Sequence, residues 1–321
     1  MGILPKAKLS IMNPLGDSIH DALGINSWRS QFMTAMLSIH CAECRSILHL
    51  RSLASQKGHK MDYSRSSPSE VRQLIREGKI TTQTSGMCDG YAQGNLLIIP
   101  REQAYDFLLF TQRNPKPCPI LEVGDVGSRL VKTMADNADI ATDIPKYRLW
   151  EYGELKGEYT DISHLWRDDF VYFLIGCSFS FEGELLASNV PVRHIEEGRN
   201  VPMYMTNIPC VPAGIFHGNV VVSMRPMPAD QVIKAVSITS SMPRVHGAPI
   251  HIGDPEKIGI KDINKPDFGE SVTIKEGEIP VFWCCGVTPQ SAVMSTKPPI
   301  AITHSPGHMF ITDVKNSLLK D

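Results

Sequence analysis

The sequence predicts a two-domain mixed α/β fold: a layered sheet with helices, a smaller α+β domain, and a poorly defined N-terminal extension. Three observations lead there. Short apolar runs of strand length recur after about residue 95, segments of helical spacing separate several of them, and the charge of the chain changes sign near residue 60. Residues 1–60 carry 7 basic and 3 acidic side chains, although the 321-residue chain as a whole has a net charge of −2. They also hold 4 of the 11 histidines and 2 of the 8 cysteines. Their apolar residues, from Phe32 to Leu50, are loosely spaced as on a helix and fall short of the roughly 20 a membrane span needs. The single Cys41-x-x-Cys44, without a second pair, reads as a chance grouping rather than a zinc site. The extension is expected to lie outside the core, with Met61 a true or ancestral start; an organellar leader is the minor alternative.

From Ser67 the elements follow in order. Ser67-Pro68-Ser69-Glu70 before Val71, Leu74 and Ile75 reads as a helix start with proline in the first turn, and Gly78 as its stop. Asn95–Pro100 reads as a buried strand ended by proline. Ala104, Phe107, Leu108 and Phe110 give Arg101–Gln112 a helical spacing. Pro115, Pro117 and Pro119 then force an extended lead into Ile120–Val123. Phe170–Ile175, Val220–Met224, Ala248–Ile252, Val281–Cys284 and Ile300–Ile302 read as short strands, and Pro228–Ser240 as a helix. Trp166-Arg167-Asp168-Asp169 reads as a structural corner with its charges paired.

Composition narrows the function. With 42% hydrophobic and 21% charged residues, the chain is a globular protein rather than a disordered or fibrous one. Near-neutral charge gives no footprint for nucleic acid or for an anionic membrane. The cysteines are irregularly spaced and lie mostly in apolar runs, as buried reduced thiols of a cytoplasmic protein would. Cys284-Cys285 in particular sits among Phe282, Trp283 and Val287, which suits an inert thiol pair better than a nucleophile. No G-x-S-x-G, H-E-x-x-H or phosphate-binding loop is present. Gly86–Gly94 has the wrong glycine intervals for a dinucleotide turn.

Polar chemistry gathers instead in four stretches. In Gly176–Glu182, an extended backbone would put Ser178, Ser180 and Glu182 on one face; a helix start would make Ser178 its cap and place Glu182 one turn in. Val192–Tyr204 collects Arg193, His194, Glu196, Asn200 and Tyr204 in a stretch punctuated by Gly198 and Pro202. Arg244–Pro255 carries His246 and His251, and Thr303–Phe310 carries His304 and His308. The last two histidines are four apart, but Ser305-Pro306-Gly307 makes a helix there improbable. Histidines in such loops serve more often in proton transfer or hydrogen bonding than as metal ligands.

Taken together these segments resemble the D-glutamate cyclase family. The match is carried by Arg113–Pro119, Leu165–Asp169, Ile175–Glu182, Arg193–Tyr204, Thr206–Cys210, His246–Pro255, Phe282–Gln290 and Ile302–Asp313. It runs nearly collinearly over roughly residues 67 to 315 and leaves out 1–60. Most bacterial members bear a provisional hydro-lyase name. The resemblance implies a two-domain α/β lyase and, from a vertebrate relative, conversion of D-glutamate to 5-oxo-D-proline with loss of water. That chemistry needs a neutral amine, an activated γ-carboxyl and a stabilised oxyanion. The expected roles are Arg193 or Arg225 as carboxylate anchor, Glu182 or Glu196 as base, and His304 or His308 as acid. Ser178, Ser180, Asn200, Tyr204, His246 and His251 are expected to bind substrate or developing charge, at roughly 3–4 kcal/mol per well-placed donor. No cofactor and no metal are expected, the partner is a small carboxylate, and a homo-oligomer is left open. Two alternatives stand beside this: a metal-dependent hydrolase or hydratase using His246, His251, His304 and His308, or a carboxylate-binding protein without catalysis.

Overall fold

The computed structural model describes residues 62–320; the expected N-terminal extension lies outside them. Two antiparallel sheets organise this part of the chain. The larger contains β1 (Tyr91–Pro100), β2 (Ile120–Val123), β3 (Tyr147–Glu151), β4 (Glu154–Tyr159), β5 (Phe170–Gly176), β10 (Ala301–His304) and β11 (Phe310–Lys315). Its order is β2-β5-β1-β10-β3-β4, with β11 also paired to β1. The smaller, in order β6-β7-β9-β8, is built from β6 (Met203–Pro209), β7 (Asn219–Pro228), β8 (His251–Ile252) and β9 (Glu278–Cys284). This bears out the mixed fold with a larger and a smaller sheet.

Each helix follows from local chemistry. α1 (Pro68–Arg76) opens on a full capping box: the Glu70 backbone N–H donates to Ser67 Oγ and the Ser67 N–H to the Glu70 carboxylate. It buries Val71 and Ile75, one turn apart, while Arg72 reaches β11 as a two-pronged donor to Asp313. α2 (Arg101–Arg113) buries Phe107 and Phe110. Phe107 meets Phe173 of β5 and Phe216 edge-on at 4.8 and 5.2 Å, contacts worth about 0.5–1.5 kcal/mol each beyond their burial. α3 (Phe179–Ala187) follows β5 at once, so the Gly176–Glu182 stretch is a helix start and not an extended face. The reason is tertiary: Phe181 and Leu185 both belong to the core between the layers. Ser178 stands at the cap position but makes no capping bond. α4 (Arg193–Glu196) is a single turn, α5 (Ala229–Ser240) buries Val232, Ala235 and Thr239, and α6 (Thr288–Thr296) follows β9.

The strand expected at Ala248–Ile252 shrinks to two residues, and strands β3, β4, β6 and β11 appear where no strand is expected from the sequence. β4 is mostly exposed and β6 carries the polar Tyr204, Thr206 and Asn207. Neither has the apolar run that marks a strand. The long β1 deserves notice for what it positions: one edge pairs with β5 along Gly94–Pro100, while the other is shared. β11 takes Tyr91 to Gly94 and β10 takes Leu97 and Ile98. The turn joining β10 to β11 therefore leaves the sheet where β1 changes partners.

Candidate functional site

That turn is Ser305–His308. The His308 N–H donates to the Ser305 carbonyl at 2.9 Å, with Pro306 second and Gly307 third at φ +83°, the pattern of a type II turn. A Cβ on Gly307 would also come within 2.7 Å of the Asn200 amide. The turn is held from three sides: Thr84 N–H to the Gly307 carbonyl at 2.8 Å, Ser305 N–H to the Lys146 carbonyl at 2.8 Å, and Asn200 Nδ2 to the Pro306 carbonyl at 3.3 Å.

It forms one wall of an open polar cleft of ≈ 720 Å³, also lined by Gln83, Lys146, Arg148, Asn200, Phe268 and Glu270. His308 Nδ1 lies 3.0 Å from the Pro306 carbonyl. A carbonyl can only accept, so Nδ1 carries the proton and Nε2 is the basic nitrogen of the neutral ring. Burial lowers the His308 pKa from its ordinary value, helped by nearby Lys146 and opposed by the Pro306 carbonyl and Glu158. A neutral imidazole thus stands beside two cations. Arg148 gives its Nε to Glu158 at 2.8 Å, and Lys146 Nζ stands 3.7 Å from the same carboxylate. Among the described residues, the guanidinium's other donors make no hydrogen bond. The cleft's own carboxylates are engaged, Glu270 accepting the Asn200 N–H at 2.9 Å and Asp267 the Met205 N–H at 2.8 Å.

The structure places the other expected residues elsewhere. Glu182 and Arg225 meet in a closed cluster, 3% and 0% exposed. Arg225 Nε donates to Glu182 Oε1 at 3.1 Å, Nη2 donates to Oε1 and to Ser178 Oγ, and Nη1 donates to Ser223 Oγ at 3.0 Å. The guanidinium lies 5.1 Å from the Phe181 ring centre and 5.5 Å from that of Trp283. His194 Nε2 is 3.0 Å from Glu182 Oε1 but off the line a hydrogen bond requires, so the contact is electrostatic. Burial raises the Glu182 pKa, yet the charges of His194 and Arg225 outweigh it and hold the carboxyl below its ordinary value. With four of its five N–H donors engaged and the whole side chain enclosed, Arg225 is not presented to a substrate.

Arg193 is likewise occupied, bonding Glu196 at 2.8 Å, Glu278 and the Thr273 carbonyl. Glu196 faces solvent in that pair. Ser180 Oγ accepts the Gln93 N–H, and the Tyr204 hydroxyl donates to the Ile263 carbonyl at 2.6 Å within the apolar core. His251 sits on β8 against the Asp254 carbonyl.

His246 and His304 are both fully enclosed. Burial, the largest cause in each, pushes both pKa values down to about 4. His304 Nδ1 accepts the Leu96 N–H at 3.1 Å, filling the break in the β1 edge. That N–H can only donate, so the ring proton belongs on Nε2, which has no hydrogen-bond partner among the described residues. Among the described residues, no three His, Cys, Asp or Glu side chains are grouped to hold a metal ion. Cys284 and Cys285 are buried, and burial pushes their thiols up to about 12 and about 11.

Of the expected site residues, the cleft thus brings together Asn200 and His308. It adds Lys146, Arg148 and Ser305. Lys146 and Arg148 escaped sequence reasoning because they flank Tyr147 at the start of a strand of mixed burial, about 160 residues before the turn they face. Nothing in their local pattern signals a site.

A sequence profile described as D-glutamate cyclase matches residues 171–313. A Clostridium beijerinckii protein named "Putative hydro-lyase" is 71% identical over 260 residues, which are 81% of this chain and 99% of that protein. Two further proteins that carry a "Putative hydro-lyase" name, from a Thermoanaerobacter species and Bacillus licheniformis, are each 62% identical, spanning 98% and 95% of their own lengths and 81% and 78% of this chain. A nitrogen repressor-like protein of Methanococcus jannaschii overlaps 75% of this chain and 96% of that one at a TM-score of 0.32 and 11% identity, and nothing rests on that likeness. Among the described residues, no helix is long and apolar enough to cross a membrane.

Proposed function

Since this chain belongs to the D-glutamate cyclase family and is a lyase, we propose that it dehydrates and cyclises D-glutamate, or a related small carboxylic acid, in the Lys146–Arg148–His308 cleft. The observation that carries this reading is the meeting, in one cavity, of two cations and a neutral histidine whose basic nitrogen is Nε2. Two cations suit the two carboxylates of glutamate, and the free guanidinium edge of Arg148 offers a fork to one of them.

The chemistry balances within the cleft. The amine nitrogen forms a bond to the γ-carbon, and a γ-carbon–oxygen bond breaks. The ammonium sheds two protons in becoming a lactam nitrogen, and the departing oxygen needs two to leave as water. His308 Nε2 takes the first to free the amine for attack and returns it to the departing oxygen, then carries the second from the new ring nitrogen to the same oxygen, so one base serves as acid in turn. Lys146 supports the tetrahedral oxyanion between the two halves. Asn200 fixes the turn that carries His308.

The test is to incubate the protein with D- and with L-glutamate and follow 5-oxoproline. One enantiomer should turn over, and His308→Gln should lower kcat by about 10²-fold or more with the unfolding midpoint unchanged. Tight binding without turnover of either enantiomer would instead identify a carboxylate carrier.

A further inference from the structure

The cleft is lined by charges of both signs, and the two signs come from different stretches of chain. Lys146 and Arg148 flank Tyr147 where β3 begins, while Asp267 and Glu270 belong to a stretch outside both sheets. The cations have a counter-charge in Glu158. The two carboxylates make no ion pair among the described residues. Arg199, whose guanidinium reaches the Ser271 carbonyl beside them, pairs with Glu197 instead.

Both acidic side chains line the cleft and are exposed, yet both are fixed. Glu270 Oε2 accepts the Asn200 N–H at 2.9 Å and Asp267 Oδ2 the Met205 N–H at 2.8 Å. Their other oxygens accept no hydrogen bond among the described residues. Each therefore presents one oriented oxygen and an uncompensated charge. A plain dicarboxylate or hydroxy acid would satisfy Lys146 and Arg148 but would be repelled by this pair. An α-amino acid brings a cation with three N–H donors to meet it. Asn200 relates that cation to the chemistry. Its N–H binds Glu270, and its Nδ2 donates to the Pro306 carbonyl at 3.3 Å, within the turn that carries His308. An ammonium on Glu270 thus lies next to the turn whose histidine must deprotonate it.

We infer that Glu270, assisted by Asp267, anchors the substrate's ammonium group, so that the cleft selects an α-amino acid over an acid of the same chain without the amine. The inference rests on the cleft being the reaction site proposed above. With the carboxylate on Arg148, the ammonium on Glu270 and the reacting arm toward His308, three substituents of the α-carbon are placed, which is what distinguishes one enantiomer from the other.

Glutarate, which keeps both carboxylates and the chain of glutamate but lacks the amine, is the control. Equilibrium binding of D-glutamate, L-glutamate and glutarate is read by titration calorimetry in the full His308→Gln chain, where turnover is slowed, and 5-oxoproline is followed with the wild type. One glutamate enantiomer should bind about tenfold or more tighter than glutarate. Glu270→Gln keeps an acceptor for the Asn200 N–H and removes the charge. Added to that chain, it should remove most of the preference, narrow the gap between enantiomers and leave glutarate bound at least as well, which also reports an intact cleft. Glutarate bound as tightly as glutamate, or a preference undiminished by Glu270→Gln, would overturn the inference even where 5-oxoproline forms. A preference lost in Glu270→Gln with no 5-oxoproline from either enantiomer would keep the anchor and overturn the cyclisation. No binding of any of the three acids would overturn both.

Discussion

The Arg225 cluster and the His308 cleft contain the same chemical parts: an arginine, a carboxylate, a histidine and serine hydroxyls. In the cluster the protein consumes its own valence. The guanidinium of Arg225 donates to Glu182, Ser178 and Ser223 and is sandwiched by Phe181 and Trp283. In the cleft, Arg148 commits one nitrogen to Glu158, and Lys146 only approaches that carboxylate. On the function proposed for the cleft, what separates it from the Arg225 cluster is how open its donors are, not the residue types assembled.

The largest expected effect breaks the cluster. Arg225→Met leaves the Glu182 carboxylate buried beside His194 alone and should cost about 3–5 kcal/mol of stability. Replacing Glu182 by Leu in the same chain should recover much of that loss. Chemical denaturation reads both. A single variant as stable as wild type would make the cluster dispensable to the fold and end the contrast.

A second effect concerns His246 and His304, enclosed like the cluster. Their folded pKa values of about 4 lie below the unfolded value of about 6.5, so the unfolded chain binds protons first as pH falls. Their contribution is fully present above pH 6.5, is lost as pH drops toward 4, and falls no further below it. Each accounts for on the order of 3 kcal/mol over that window. Unfolding midpoints measured from pH 7 to 4 should decline, and His246→Gln with His304→Gln should flatten the decline. An unchanged slope in the double variant would place the acid sensitivity elsewhere.

The smallest effect sharpens the cleft. If neutral His308 is the base, kcat/KM rises with pH through its depressed pKa, giving an acid limb below the ordinary histidine value. Lys146→Met removes a positive neighbour, favours the imidazolium and should move that limb to higher pH, with KM raised about tenfold (the loss of ~1.4 kcal/mol of charge-assisted binding) and kcat lowered as well, because the oxyanion loses its support. Glu158→Gln removes a negative neighbour and should move it lower. A limb indifferent to both would mean that another group titrates.

Much of the architecture was legible beforehand because its strands are long apolar runs. Phe170–Ile175, Val281–Cys284 and the core of β1 have the composition of buried strands, and α1 announces itself through Ser67 and Glu70. The edge strand β4 and the polar β6 lack that signature, since what fixes them is pairing with β3 and β7. The proposed site was half legible. Ser305-Pro306-Gly307-His308 is recognisable as a turn presenting a histidine, and Asn200 as part of a polar stretch. Glu182, Arg193 and Arg225 look equally reactive in sequence, because a chain of letters does not show that each has already found its counter-charge.

The shared edge of β1 has a mechanical consequence. Both strands leading into and out of the His308 turn are fastened to the same strand, so the turn behaves as a clamped span rather than a hinged flap. Neither end can swing outward without tearing backbone bonds from β1. Residues 267–270, which also line the cleft, belong to no strand of either sheet and are tied to residues 200–205 by a few bonds, among them the reciprocal pair between Phe268 and Met203.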